Sequence, residues 1–119
     1  MSLTLNEYQA ATKNFMNKDL TNREALLMFV LGISSESGEI AEAIKHNMFH
    51  HHKLDRDNLK KELGDLLWYL SGMADHFGWT LDEVAVANID KLSIRYPNGF
   101  SSERSINRVE NGLQIPTRP

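Results

Sequence analysis

Apolar residues return every three to four positions along four stretches of the chain, a spacing that predicts four amphipathic α-helices. Three of the four open on the same signal, a Thr with a Glu three residues later: Thr4 and Glu7, Thr21 and Glu24, Thr80 and Glu83. In this capping box the two side chains satisfy amides that a first helical turn leaves without partners. The first helix is expected from about Leu5 to Asn17, with Leu5, Tyr8, Thr12, Phe15 and Met16 on its inner face. The second is expected from about Asn22 to His46, with an inner stripe of Leu26, Phe29, Val30, Ile33, Ser37, Ile40 and Ile44. After a break from Asn47 to Leu54, Asp55 or Asp57 caps a third helix that runs to about Phe77 and stops at Gly78. Its core stripe is Leu59, Leu63, Leu66, Leu70, Met73 and Phe77, and Glu62, Asp65, Tyr69 and His76 form a second stripe beside it. The fourth helix spans Leu81 to about Arg95, with Leu81, Val84, Ala85, Ile89 and Leu92 inward, and Pro97-Asn98-Gly99 ends it. From there on no period is visible. Residues 1–100 therefore read as one helical domain, and 101–119 as a tail, or an arm that orders on a partner chain. The expected fold class is all-α, with the second and third helices adjacent and antiparallel.

The polar positions depart from this plain pattern in two places. Glu36 and Glu39, within Ser34-Ser35-Glu36-Ser37-Gly38-Glu39, lie three residues apart, and so do Glu62 and Asp65 in Glu62-Leu63-Gly64-Asp65. Residues three apart share a helix face, about 5–6 Å apart at Cβ. One such pair is ordinarily a solvated face, which lies opposite the apolar stripe. Here both pairs sit beside the stripe, at the rim of the core, on helices expected to be neighbours. Four converging carboxylates repel unless a cation holds them, and an oxygen-only set suits a hard divalent ion, Mg²⁺ or Mn²⁺. Gly32 and Gly38 each cost their helix about 1 kcal/mol against Ala, so something is expected to approach the backbone there. Asn88, Lys91 and Arg95 share a face of the fourth helix. Read plainly, they are its exposed side; read chemically, Lys and Arg suit phosphate, Arg through its planar fork. Acid, metal and Lys/Arg on helices together describe a phosphoester or phosphoanhydride site.

Composition narrows the classes. At 119 residues the chain is most simply one domain. The absence of Cys excludes a disulfide scaffold, thiol chemistry and thiolate zinc sites. A net charge of −3 offers no basic footprint for nucleic acid. No apolar run approaches the ~18 residues of a membrane span, and the N-terminus has no basic region followed by an apolar stretch, so no signal peptide is expected. A cytoplasmic protein acting on small molecules is the expectation.

The acidic motifs, the stretch Glu62-Leu63-Gly64-Asp65-Leu66-Leu67-Trp68-Tyr69-Leu70 and the stretch from Asn88 to Phe100 together resemble the MazG-like nucleotide pyrophosphohydrolases. These belong to the all-α NTP pyrophosphatase superfamily, which also holds the dimeric dUTPases. The family pattern is E-E-x-x-E followed after a spacer by E-x-x-D, and the resemblance covers about Leu3 to Phe100. It implies a four-helix bundle that assembles as dimers or dimers of dimers. It further implies hydrolysis of (d)NTP to (d)NMP and pyrophosphate with Mg²⁺, for which Mn²⁺ can substitute. By matching positions, Glu36, Glu39, Glu62 and Asp65 are the implied metal ligands, with Glu36 or Glu39 activating water. Asn88, Lys91 and Arg95 are implied at the phosphates and Tyr69 at the nucleotide. Ser35 stands where the family pattern has its first Glu, which leaves the number of metals and the identity of the base open. It also keeps a second reading alive, a non-catalytic helical module that binds metal or a nucleotide.

Two further features are read plainly. Trp68 lies opposite the core stripe of its helix, which points to a subunit interface. His50-His51-His52 falls in the break between helices and reads as a solvated loop, because adjacent histidines seldom converge on one ion.

Overall fold

The computed structural model describes residues 1–107 and the paired backbone of 109–110 and 113–114. Contacts divide it into two units, Met1–Leu81 and Asp82 onward. The regular elements of the described residues are helices apart from one two-residue antiparallel ladder, Val109–Glu110 with Leu113–Gln114, and an isolated bridge between Pro97 and Gly99. Among the described residues four helices exceed two turns: α1 (Leu5–Thr12), α2 (Asn22–Phe49), α3 (Arg56–His76) and α4 (Leu81–Arg95).

In the first unit the helix starts follow their caps. Thr4 and Glu7 form one complete capping box and Thr21 and Glu24 another, while the Asp55 side chain accepts from the Asn58 amide at 3.0 Å. Each such cap contributes about 1 kcal/mol. The stops differ from the periodicity. α1 ends at Thr12, whose hydroxyl donates back to the Gln9 carbonyl at 2.6 Å, and the chain tightens into a 3-10 turn over Lys13–Phe15. α2 runs one turn past His46 to Phe49 and is stopped by His51, which takes a left-handed φ of 58°.

The centre of this unit is the contact between α2 and α3, on which α1 also packs through α3. Two glycines set how closely the long helices approach. A Cβ on Gly32 would collide with the ring of Tyr69, and a Cβ on Gly72 with the ring of Phe29. Each helix thus seats an aromatic ring on the other's backbone. Phe29 is 1% exposed, and its burial contributes about 1.5–3 kcal/mol. Around it Ser71 and Thr12 meet through their hydroxyls at 3.3 Å. Gln9, also buried, donates from Nε2 to the Trp79 carbonyl and accepts the Leu81 amide through Oε1, at 2.9 and 2.8 Å. Both ends of its amide are satisfied, so its burial ties α1 to the turn that starts α4.

Several expected faces are rotated. Val30, Ile44, Leu63, Leu70 and Phe77, assigned to core stripes by their spacing, are exposed, while Gly72 and Ala74 are buried. Trp68, expected on the outer face, is half-buried with its ring edge-on to Phe29 at 6.1 Å. The reason is the same throughout: α2 and α3 carry apolar residues on more than one face, and within one chain only one face of each meets the other.

In the second unit, Arg104 donates from its guanidinium to the carbonyls of Arg95 and Ile94, closing the C-terminal end of α4. The tail is not wholly irregular, because Ser102–Asn107 forms a short helix, α5, that begins where Ser101 Oγ accepts from the Arg104 amide. Six residues are too few for a periodic pattern to reveal. The rest of the tail, 108, 111–112 and 115–119, lies outside the described residues.

Candidate metal and nucleotide site

The seating of the two rings fixes a register. Gly32 faces Tyr69 and Phe29 faces Gly72, so a step of three forward on α2 is a step of three back on α3. Continued along both helices, this antiparallel register sets Glu36 against Asp65 and Glu39 against Glu62. Ligand oxygens of Glu36, Glu62 and Asp65 lie within 4.8 Å of one another. Glu36 and Glu62 are half-buried and Asp65 is exposed. Glu39 is exposed and stands beside this trio, against Glu62.

The electrostatics are those of crowded carboxylates. Glu39 is raised above the ordinary carboxylate range, first by a hydrogen bond with Glu62 and then by its charge, with Asp65 adding to it. Glu62 is raised as well, first by a hydrogen bond with Glu36 and further by desolvation and the charges of Glu36 and Asp65. Glu36 Oε2 and Glu62 Oε2 are buried without a hydrogen-bond partner. Two orphaned buried oxygens cost free energy unless something positive reaches them. An all-oxygen trio with lone pairs to spare, raised by mutual repulsion, fits a hard divalent cation and does not fit a thiophilic one.

Tyr69 lies flat on Gly32, one turn from Ser35, and both line an open groove of about 580 Å³ together with Asn17, Leu20, Glu24, Leu27, Met28 and Leu31. That volume is in the range of small-molecule sites. One neighbour was not visible in the spacing: the Tyr8 phenol, raised chiefly by burial and then by the charge of Asp65. Its position on the inner stripe of α1 was legible, its proximity to Asp65 was not. Asn88, Lys91 and Arg95 follow one face of α4 in the second unit, with Asn88 exposed and Lys91 and Arg95 half-buried. The Arg95 guanidinium lies 6.0 Å from the Tyr96 ring centre.

The second glycine behaves differently from the first: a Cβ on Gly38 meets nothing within 4 Å. The histidine segment, His50 to His52, is an exposed loop as expected, but its rings lie near that of His46. The rings of His46 and His52 have centroids 4.6 Å apart, and those of His46 and His50 5.3 Å.

Comparison with known proteins identifies the family. The family model of the MazG nucleotide pyrophosphohydrolase domain matches residues 24–100, which take in all but the first two residues of α2 and the whole of α3 and α4. The chain is 31% identical over 94 residues to the Gene 37 protein of Mycobacterium phage L5, covering 76% of this chain and 82% of that protein. No solved structure matches it.

Proposed function

The chain belongs to the MazG nucleotide pyrophosphohydrolase family, and from that premise we propose that it hydrolyses nucleoside triphosphates, (d)NTP and water giving (d)NMP and pyrophosphate. The observation that carries the reading is the convergence of Glu36, Glu62 and Asp65 with two buried, unpartnered oxygens. These three would hold Mg²⁺, with Mn²⁺ able to substitute, and Glu39 would complete or flank the set. When bound, the ion supplies the positive charge that lets a polyanionic substrate approach four carboxylates and polarises the phosphoryl group. The chain's own groups do the rest. Glu39, raised by its neighbours and outside the tight trio, is the base that takes a proton from water attacking the α-phosphorus; Glu36 is the alternative. The bond from the α-phosphorus to the bridging oxygen breaks, and pyrophosphate leaves with its added charge met by Lys91 and Arg95, with Asn88 donating to phosphate. Tyr69 and the groove beside Ser35 receive the nucleoside.

A panel of dNTPs and NTPs with Mg²⁺, scored for pyrophosphate against orthophosphate, tests the reaction. Orthophosphate as primary product, or no turnover of any nucleotide, would overturn it. The second outcome would favour the non-catalytic metal- or nucleotide-binding module, to which Ser35 in place of the pattern's first Glu lends support. Lys91→Ala is expected to weaken substrate binding and leave metal affinity nearly unchanged.

Assembly belongs to the same proposal. The buried apolar side chains of the described residues are Phe29, Ala74 and Leu81, whereas Leu63 is 53% exposed and Leu67 and Leu70 continue its stripe. A second copy covering this face, as a dimer or a dimer of dimers, would complete the core. Sedimentation at micromolar concentration checks it, and a monomer mass counts against it. Among the described residues no helix is long and apolar enough to cross a membrane. A cytoplasmic location, with no nucleic-acid partner, accords with small-molecule chemistry.

A further inference from the structure

The end of α2 gathers three imidazoles that the carboxylate chemistry does not use. His46 and His50 stand four residues apart at the last turn, the spacing that puts two ligands on one helix face. The third is delivered by the way the helix stops. The His50 and His52 amides both donate to the His46 carbonyl, at 3.1 and 3.0 Å, across His51 in the left-handed conformation. Such a turn folds His52, the second residue after the cap, back over the last turn. Asn47 Nδ2 holds it there by donating to the His52 carbonyl at 2.9 Å. His51, the residue that makes the turn, is outside the cluster of rings. A run of adjacent histidines thereby contributes alternate members, and the helix contributes His46.

The ring centroids are 4.6 Å apart for His46 and His52, 5.3 Å for His46 and His50 and 6.4 Å for His50 and His52. An imidazole nitrogen sits about 2.0–2.1 Å from Zn²⁺, which puts its ring centre roughly 3.2 Å from the ion. Two rings on a tetrahedral ion are then about 5.2 Å apart. The two distances from His46 bracket that value and the third must close by about 1 Å. The ring nitrogens are not gathered within 4.8 Å of one another as the oxygens of Glu36, Glu62 and Asp65 are, so an ion would have to draw them in by rotation of the exposed His50 and His52 side chains. Glu42 Oε1 accepts from His46 Nε2 at 2.7 Å, the carboxylate support common behind histidine ligands, and leaves Nδ1 for an ion. The same Glu42 pairs with Lys45 at 3.0 Å and so offsets its positive charge. The C-terminal end of a helix adds favourable potential for a cation. Glu39 lies seven residues away along α2, about 10 Å at 1.5 Å per residue, so the two clusters are separate.

We propose that His46, His50 and His52, supported by Glu42, form a second metal site that takes a borderline transition ion of the Zn²⁺ class. Imidazole selects such ions over Mg²⁺, as carboxylate does the reverse. Bound there, the ion ties the stop of α2 to the segment leading to the Asp55 cap of α3.

The test uses tag-free, metal-free full-length protein carrying Glu62→Gln and Asp65→Asn, so that failure of the nucleotide site cannot be mistaken for failure of this one. It is titrated with Co²⁺ and Zn²⁺ by absorption and calorimetry. One equivalent is expected to bind, with the intense visible bands of tetrahedral Co²⁺, a raised Tm and no competition from millimolar Mg²⁺. His46→Ala, His50→Ala and His52→Ala should each weaken binding by at least about tenfold, and His51→Ala should leave it nearly unchanged. Circular dichroism of each variant guards against loss of the helix end. No binding in the carboxylate-deficient protein, or equal losses from His51→Ala and His52→Ala, would overturn the site.

Discussion

The N-terminal half of α2 meets the C-terminal half of α3 through rings seated on glycines, Phe29 on Gly72 and Tyr69 on Gly32. A turn or two further along, the same two helices meet through Glu36, Glu39, Glu62 and Asp65. The register is common to both halves, but the free energy has opposite sign. In the first half burial and close packing hold the helices together. In the second, like charges and two orphaned oxygens push them apart. The closed half holds the open half in place. The carboxylates need not attract one another, because the glycine–aromatic contacts fix where their backbones lie.

The largest expected effect comes from changing the open half alone. Asp65→Asn should reduce pyrophosphate release by roughly 10²-fold or more, the scale of losing one preorganised charge contact in a catalytic site. Without metal it should fold at least as stably as the parent, since it removes a repelling charge. Steady-state turnover beside thermal melts reads both. Near-parental turnover would end the division between a closed structural half and an open reactive one.

Changing the closed half should do the reverse. Gly32→Ala puts a methyl group into the Tyr69 ring, and overpacking of this kind costs about 1–3 kcal/mol. Metal affinity should fall with it, because the register that aligns the carboxylates shifts. The double variant Gly32→Ala/Tyr69→Ala should recover part of the loss relative to the sum of the single changes, which a double-mutant cycle in denaturant measures. Additive losses would show that the ring on the glycine does not set the helix approach.

Gly38 supplies the smaller, contrasting effect on the same helix. With nothing within 4 Å of its added Cβ, Gly38→Ala should stabilise α2 by about 0.5–1 kcal/mol through helix propensity alone. A loss of stability that grows with protein concentration would mean that a second copy lies against this face.

These glycines also mark how far the sequence could be read. A helical glycine signals either close approach or nothing nearby, and one chain's spacing does not distinguish Gly32 from Gly38. The helices, the carboxylate spacing and the pairing of α2 with α3 were legible, because capping boxes and a three-to-four period are local. Which face turns inward was not. Val30, Leu63 and Leu70 fit a core stripe as well as Gly72 and Ala74 do, and only the helix partner chooses between them. Tyr8 beside Asp65 and His52 folded over His46 depend on tertiary contact and on a left-handed turn, neither of which has a period. The carboxylate end of the seam was therefore easier to find than the exact helix faces that hold it.

The smallest effect is the pH dependence that separates the two halves without any substitution in the closed one. Glu39 and Glu62 titrate above their ordinary range in the folded protein, because neighbouring carboxyls share protons with them and repel their charge. A group whose folded pKa lies above its unfolded value adds stability when protonated, and that contribution is lost as pH rises through the folded value. The metal-free protein should therefore lose a little stability as pH climbs from the ordinary carboxylate value of 4.5 through the raised values of these groups. Glu39 is exposed and Glu62 no more than half-buried, so solvent screening makes the shift in Tm the least of those described. Glu39→Gln should flatten the slope, since it removes one of the two titrations and part of the repulsion on the other. Mg²⁺ should reverse the slope, because the ion competes with protons for the same oxygens and binds better as they leave. Thermal melts across this range, with and without Mg²⁺, read all three. A metal-free protein that gains stability over the same interval would mean that the carboxylates are held by partners within the fold, and that the open half of the seam is not open.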